Sequence, residues 1–389
     1  MTEQPANSAE VSPASIRRAV LVVLALLVPG GLISACGSQN GSLEDAPTST
    51  ATAEVALVVT PFFTIPPTET PIPSPTPTIP PTPEFIDGIP TSPEQAAATA
   101  LLQGEQGVYG VVVLGPGGKI IVTRNAHIPF VTASTYKLIL MADILSKVEA
   151  GELSLQQTYT LEQALFTAGD GDMFFANDEA GTEATLEDLL FAAGAYSSNV
   201  AGLTMLKLTS PESLRQTAEK IGMNETWLLA DPEALPNWPP QPAPDATQAD
   251  VDAARAYIES SAQLGPVNIT TPFDMATYMQ KLSSNTLISP FVSEQIMEIL
   301  EEQLIGDRIP LLLPDGYDAI DKPGNLEDVV NDVGFITLPS GEVRPLALLT
   351  LGLNDDDRAT QVEQRLALIA AGIFDIPPYD DTTQATPAP

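Results

Sequence analysis

Cysteine and histidine are almost absent: the chain carries one of each, Cys36 and His127. A single thiol excludes an internal disulfide framework. Basic residues are also scarce, 16 against 50 acidic ones, for a formal net charge of -34. Such a field repels polyanions, which excludes nucleic acid as a partner. Between Cys36 and Lys119 there is no Lys or Arg, and residues 61–90 hold eleven prolines in strings such as "PIPSPTPTIPPTP". That stretch cannot bury enough apolar surface to offset its ordering entropy. Residues 36–91 are therefore expected to form a disordered, partly polyproline II linker. Long apolar runs are missing too. The longest, "AVLVVLALLVPGGLISA" after Arg17 and Arg18, is broken by Pro29, Gly30 and Gly31 and is too short for a comfortable membrane span. A secretory signal over residues 1–35 fits it better.

What remains is one folded domain, expected over residues 92–377, with a disordered tail over 378–389. The N-terminal run ends "LISAC", which resembles the lipobox of bacterial lipoproteins, where the cysteine becomes the lipidated first residue. The alternative is an uncleaved N-terminal anchor with Cys36 as a bystander. Either way the domain is expected outside the cytoplasm, tethered to a membrane by a long stalk.

Within the domain, "TSPEQAAATALLQ" starts a helix, with Ser92 as N-cap, Pro93 at the first helical position and Gln95 closing a capping box. "GVYGVVVLGPGGKIIVTRN" reads as a hairpin around 115–118. The apolar residues of "VTASTYKLILMADIL" and Val148 cover most faces of a helix from about Ser134 to Ala150, which should be buried and central. Thr185 and Asp188 open a helix over "LEDLLFAAGAY", and "VAGLTMLKL" forms another after a break at "SSN". Residues 231–267 read as a long loop holding one helix, "ADVDAARAYIESS". "TTPFDMATYMQKL" and "SPFVSEQIMEILEEQL" are capped helices. A second hairpin turns at Ser340-Gly341, and a charged start at 355–358 leads into a closing helix. Strands from both ends of the domain then meet in one antiparallel sheet: an α+β fold, helices flanking the sheet, with an inserted all-helical lobe.

The chemistry starts from Ser134 and Lys137, a hydroxyl and an amine three residues apart and hence on one helix face. At a helix N-terminus free N-H groups favour a negative oxygen, and a neutral amine there could take the serine's proton. "YSSN" adds Ser197 and Asn199 at the break between two apolar helices, and "DKPGN" adds Lys322 ahead of the last hairpin. Lys220 in "EKIG" has a similar spacing but reads as a helix C-cap. His127 reads as packed or solvated, since this chemistry needs no histidine. "GDGD" at 169–172 lacks a full cation-ligand loop and reads as a turn. No metal or cofactor is called for.

In order and together, these pieces resemble the class A serine β-lactamases and the wider family of penicillin-recognising serine hydrolases, whose three motifs are S-x-x-K, S-D-N and K-T-G. "GVVVLGPGGKIIVTRNAHIPFVTASTYK", "IGMNETWL", "NITTPFDMATYM" and "DRIPLLLPDGYDAIDKPG" extend the resemblance over residues 95–375. It implies Ser134 as the nucleophile that becomes acylated and Lys137 as its base or a partner of that base. It implies Ser197 as the group passing a proton to the leaving nitrogen, and Asn199 as a ligand of the substrate's side-chain amide. Lys322 would attract the substrate carboxylate, with Gly324 and Asn325 lining the substrate, and the N-H groups of Ser134 and Asn325 would form the oxyanion hole. Glu233, four residues before Asn237 in "EALPN", has the spacing of the family's deacylating glutamate. A small-molecule or peptide amide is the implied substrate and a monomer the expected state. Two positions depart from the pattern: Ser198 stands where the family usually has aspartate, and Pro323 where it has a hydroxyl. The second departure leaves three activities open: β-lactam hydrolysis, D-alanyl peptidase or penicillin-binding chemistry, and cell-wall binding without turnover.

Overall fold

A computed structural model describes residues 89–166, 172–176 and 178–380. The signal segment, Cys36, the linker up to residue 88, residues 169–171 of the GDGD run and the tail from residue 381 lie outside the described residues.

Helix α1 (Pro93–Leu101) opens as its sequence requires, with the Ser92 side chain accepting the Gln95 N-H at 3.0 Å. The capping box does not close. Strands β1 (Val108–Leu114) and β2 (Ile120–Arg124) follow, and β2 is an edge of the sheet. The Gln95 carboxamide accepts the Thr123 N-H of that edge at 2.8 Å and donates to the Thr123 carbonyl at 3.2 Å. It satisfies two groups there, where a capping box would have satisfied one.

After β3 (Phe130–Val131), a 3-10 turn over Ala133–Thr135 leads into α2 (Tyr136–Glu149), in which every residue from Lys137 to Leu145 is buried. The expected central helix is present, with Ser134 in the turn that feeds it. A short ribbon, β4 (Thr158–Thr160) with β5 (Glu183–Thr185), precedes α3 (Leu186–Ala195), whose capping box between Thr185 and Asp188 is complete. Then come α4 (Asn199–Leu206), α5 (Pro211–Ile221) and β6 (Trp227–Ala230). Helix α5 ends at Gly222, whose φ of 93° gives the left-handed C-cap that places Lys220 in a helix end. The long loop carries a 3-10 turn and α6 (Gln248–Ala262), and Arg124 binds Asp250 on that helix at 2.8 Å. Strand β7 (Val267–Thr270) lies between β3 and β6 in a three-stranded sheet. Helices α7 (Pro272–Ser283) and α8 (Pro290–Leu300) have Thr271 and Ser289 as N-caps.

Three long strands finish the main sheet: β8 (Asp318–Leu326), β9 (Val329–Thr337) and β10 (Val343–Leu351). The order is β2-β1-β10-β9-β8, all antiparallel, so the N-terminal hairpin pairs with the last strand of the chain. Both faces are buried. Tyr109, Val111, Val113, Leu346 and Leu348 pack towards α1 and the closing helix α9 (Asp356–Ala370), while α7 lies against β1, β9 and β10. Helices α2, α3, α4, α5 and α8 form the helical lobe, with α2 at its centre.

The packed chain runs past the expected boundary at Pro377. Arg365 Nε donates to the Pro377 carbonyl at 3.0 Å and a second guanidinium nitrogen donates to that of Pro378. The Tyr379 ring is covered by the guanidinium groups of Arg358 and Arg365, so residues 378–380 are held on α9 by cation–π contact rather than left as tail.

Candidate active site

The nucleophile candidate is set by a buried anchor and a constrained backbone. Asn331 on β9, fully buried, donates to the carbonyls of Val131 and Thr132 at 2.9 and 3.2 Å and accepts the Thr350 N-H at 2.9 Å, so the turn entering Ser134 is fastened to the sheet. Ala133, just before the serine, has φ 47°, a conformation that costs a non-glycine residue free energy and marks a constrained site.

Lys137 lies one turn on, with no exposed surface. Its Nζ is 3.1 Å from Ser134 Oγ, 3.0 Å from Asn199 Oδ1 and 2.5 Å from the Ser197 carbonyl, with Ser197 Oγ further away at 3.4 Å. The Ser197 carbonyl and Asn199 Oδ1 can only accept. A neutral amine gives them its two N-H bonds, which leaves its lone pair facing the Ser134 hydroxyl. Burial chiefly, then the charge of Lys322, holds Lys137 well below the ordinary lysine range, and Asp172 opposes the shift.

Ser197 sits in the break between α3 and α4 with φ 55°. Its hydroxyl receives Lys322 Nζ at 2.9 Å, and Lys322 also donates to the Pro323 carbonyl at 2.8 Å. Burial brings Lys322 down to about 7 against the pull of Asp321 and Asp332. Ser134, Lys137, Ser197, Asn199 and Lys322, spread over 189 positions of sequence, thus form one connected network.

The third motif is a strand. Pro323 lies in the middle of β8, yet the register with β9 runs without a bulge from Asp318 to Leu326. The reason is that β8 is the other edge of the sheet. A residue without an N-H fits an unbroken antiparallel ladder only where its nitrogen points away from β9. Two residues on, the Asn325 N-H points the same way, to the open edge. Gly324 lies between them, against the serine turn: a Cβ there would be 2.8 Å from Ser134 N and 3.0 Å from Thr135 N.

Beneath β8, on the face away from Lys322, Asp321, Asp332, Glu363 and Arg308 are buried together. Burial pushes Asp332 to about 6 and both Asp321 and Glu363 well above the carboxylate range. Arg308 donates to the Asn325 Oδ1 at 2.6 Å and to the Asn331 carbonyl at 3.2 Å, linking the third motif to the anchor of the serine turn. Arg308 was not singled out by the sequence, although an arginine heading the apolar run "IPLLL" was a signal.

Glu233 and Asn237 are not brought into the network. Both are exposed, Glu233 in a 3-10 turn and Asn237 at φ 60°, and neither side chain bonds Ser134, Lys137 or Ser197. Their four-residue spacing would align them only on an α-helix, and the chain there extends after a single turn. His127 bonds Glu225 at 2.7 Å and stacks on Phe273, as a packed residue does.

A model of the β-lactamase enzyme family matches residues 94–374. The chain is 23% identical over 284 residues to the extended-spectrum β-lactamase PER-1 of Pseudomonas aeruginosa, covering 69% of this chain and 81% of that protein. Among solved structures, a β-lactamase from Sphaerobacter thermophilus superposes with a TM-score of 0.58 at 27% identity, covering 75% of this chain and all of the other. A mutant of PBP-A, described as an acyl-enzyme complex with penicillin G, superposes with a TM-score of 0.58 at 17% identity, covering 72% and 94%. With this fold, this order of motifs and a family match over most of its length, the chain belongs to the β-lactamase enzyme family.

Proposed function

We propose that this hydrolase of β-lactamase type acts through an acyl-enzyme on Ser134, opening a β-lactam or a related amide. The observation that carries the reading is the Lys137 amine, whose two acceptor-only neighbours turn its lone pair to the Ser134 hydroxyl. Lys137 takes the serine proton as Oγ attacks the carbonyl carbon. The oxyanion forms between the N-H groups of Ser134 and Asn325. The chain Lys322–Ser197 delivers a proton to the leaving nitrogen as the C–N bond breaks, and water later releases the acyl group.

Release is the weaker half. Glu233 is exposed and outside the network, which favours a second reading, a penicillin-binding or D-alanyl peptidase type whose acyl-enzyme persists with β-lactams. A binding domain without chemistry is the poorest fit, because a buried lysine aimed at a serine serves no such role. Intact mass against time, with the soluble domain 89–380 and benzylpenicillin, separates the three. We expect an adduct on the wild type and none on Ser134→Ala. Rapid decay of the adduct selects the lactamase, persistence selects the penicillin-binding type, and its absence sinks the acyl-enzyme reading.

We also place the domain outside the cytoplasm on a lipid anchor at Cys36, on the strength of the "LISAC" sequence and the proline-rich stalk. Metabolic labelling of the full chain with radioactive palmitate tests this. Label is expected on the wild type and lost in Cys36→Ser, and an unlabelled wild type removes the proposal.

A further inference from the structure

The second motif of this chain has no acid, yet an acid holds it. Asp172 Oδ2 accepts the Ser198 hydroxyl at 2.5 Å and the Val200 N-H at 3.1 Å, while its Oδ1 accepts the Phe175 N-H at 3.1 Å. Ser198 is 2% exposed, and its Oγ in turn accepts the Ala201 N-H at 3.0 Å as the N-cap of α4. The same segment is clamped by rings: Phe174 packs edge-on at 5.2 Å from Tyr196 and 6.0 Å from Phe191. The turn so gripped is demanding. Ser197 is held at φ 55°, its carbonyl and Asn199 Oδ1 orient Lys137, and its hydroxyl meets Lys322. A small rotation of the turn would misdirect both lysines at once.

We propose that Asp172 is a positioning residue of the active site: from a separate loop it supplies the carboxylate that the second motif lacks at Ser198, and it fixes the turn that aims Lys137 at Ser134. Asp172 touches neither the nucleophile nor its base, so it acts through Ser198 and the backbone of α4. Its charge has a second effect, because among the groups acting on Lys137 it opposes Lys322 and favours the ammonium. The catalytic consequences rest on the acyl-enzyme reading above. The structural ones do not.

The test is an exchange of the carboxylate between its two sites, in the full chain. Four proteins are compared, the wild type, Asp172→Ala, Ser198→Asp and the double variant, by rate of acylation with benzylpenicillin and by hydrogen exchange of peptides spanning 192–203. Asp172→Ala should lose about thirtyfold in acylation and exchange faster across the turn. Ser198→Asp alone should also lose, because two carboxylates then meet where a hydrogen bond was. The double variant should recover to within about fivefold of wild type in rate and in exchange, a reciprocal rescue that mere loss of packing does not produce. In Asp172→Asn the acid limb of the acylation profile should move to lower pH, since Lys137 keeps Lys322 as a neighbour and loses the opposing charge. Asp172→Ala behaving as wild type, or a double variant no better than the worse single one, overturns the proposal. If benzylpenicillin leaves no adduct even on the wild type, the acyl-enzyme reading falls by itself, and the exchange pattern alone decides: rescue in the double variant supports the role of Asp172, and no rescue refutes it.

Discussion

Lys137→Ala should slow acylation of Ser134 about a thousandfold or more, the range of a positioned general base. Lys137→Arg should recover almost none of it, because a guanidinium stays protonated and cannot offer a lone pair. The pH profile carries the same information with a definite sign. On the acyl-enzyme reading proposed above only the neutral amine is active, and burial with the neighbouring Lys322 charge holds Lys137 well below its ordinary range. Acylation therefore rises as pH increases through that lowered value. Replacing Lys322 by Ala removes the neighbouring charge, raises Lys137 and moves the limb to higher pH, besides any loss from Ser197. Stopped-flow acylation with a chromogenic cephalosporin, from pH 5 to 9, reads both effects. A Lys137→Arg enzyme within tenfold of wild type would show that the proton goes elsewhere.

Gly324→Ala is the second large effect. The added methyl would meet Ser134 N at 2.8 Å, Thr135 N at 3.0 Å and the Thr132 carbonyl at 3.1 Å. All three are backbone atoms of a turn pinned by Asn331, so none can swing aside as a side chain would. Strand and turn must separate, and with them the Ser134 and Asn325 N-H groups proposed to hold the oxyanion. Loss of one such donor costs on the order of 3 kcal/mol, or about a hundredfold in rate, and a displaced pair should cost at least that. Because β8 is an edge strand, the fold should survive, with a melting temperature within a few degrees of wild type. Acylation within threefold of wild type would place the oxyanion elsewhere.

The parts of this molecule that local rules govern were legible in its sequence. Ser92 before Pro93, Thr185 with Asp188, Thr271 before Pro272 and Ser289 before Pro290 each mark a helix start that the structure contains. The two hairpins were legible from β-branched runs and turn residues, and together with the helices they implied the α+β arrangement. Strand β8 was not. "DKPGN" combines residues that strands avoid, and it is extended because the apolar strand β9 pairs with it along its whole length. Gln95 was assigned to its own helix and went to an edge strand that no local pattern reveals.

The active site divides in the same way. Ser134 and Lys137 are neighbours through the local turn that leads into α2, whereas the meeting of Lys322 with Ser197 depends on the packing of sheet against lobe. Glu233 and Asn237 had a spacing without the helix that would give it meaning. Asp172 was passed over as part of a turn. The signal was indirect: a motif short of its carboxylate calls for one from somewhere else.

Pro323 has another side. The open edge of a sheet is a row of unpaired donors and acceptors on which a second chain can add a strand. At Pro323 that row lacks a donor, and the Pro323 carbonyl is already engaged by Lys322. A neighbouring molecule therefore finds no continuous ladder along β8. The residue that interrupts the third motif thus also protects the open edge of the main sheet against edge-to-edge aggregation.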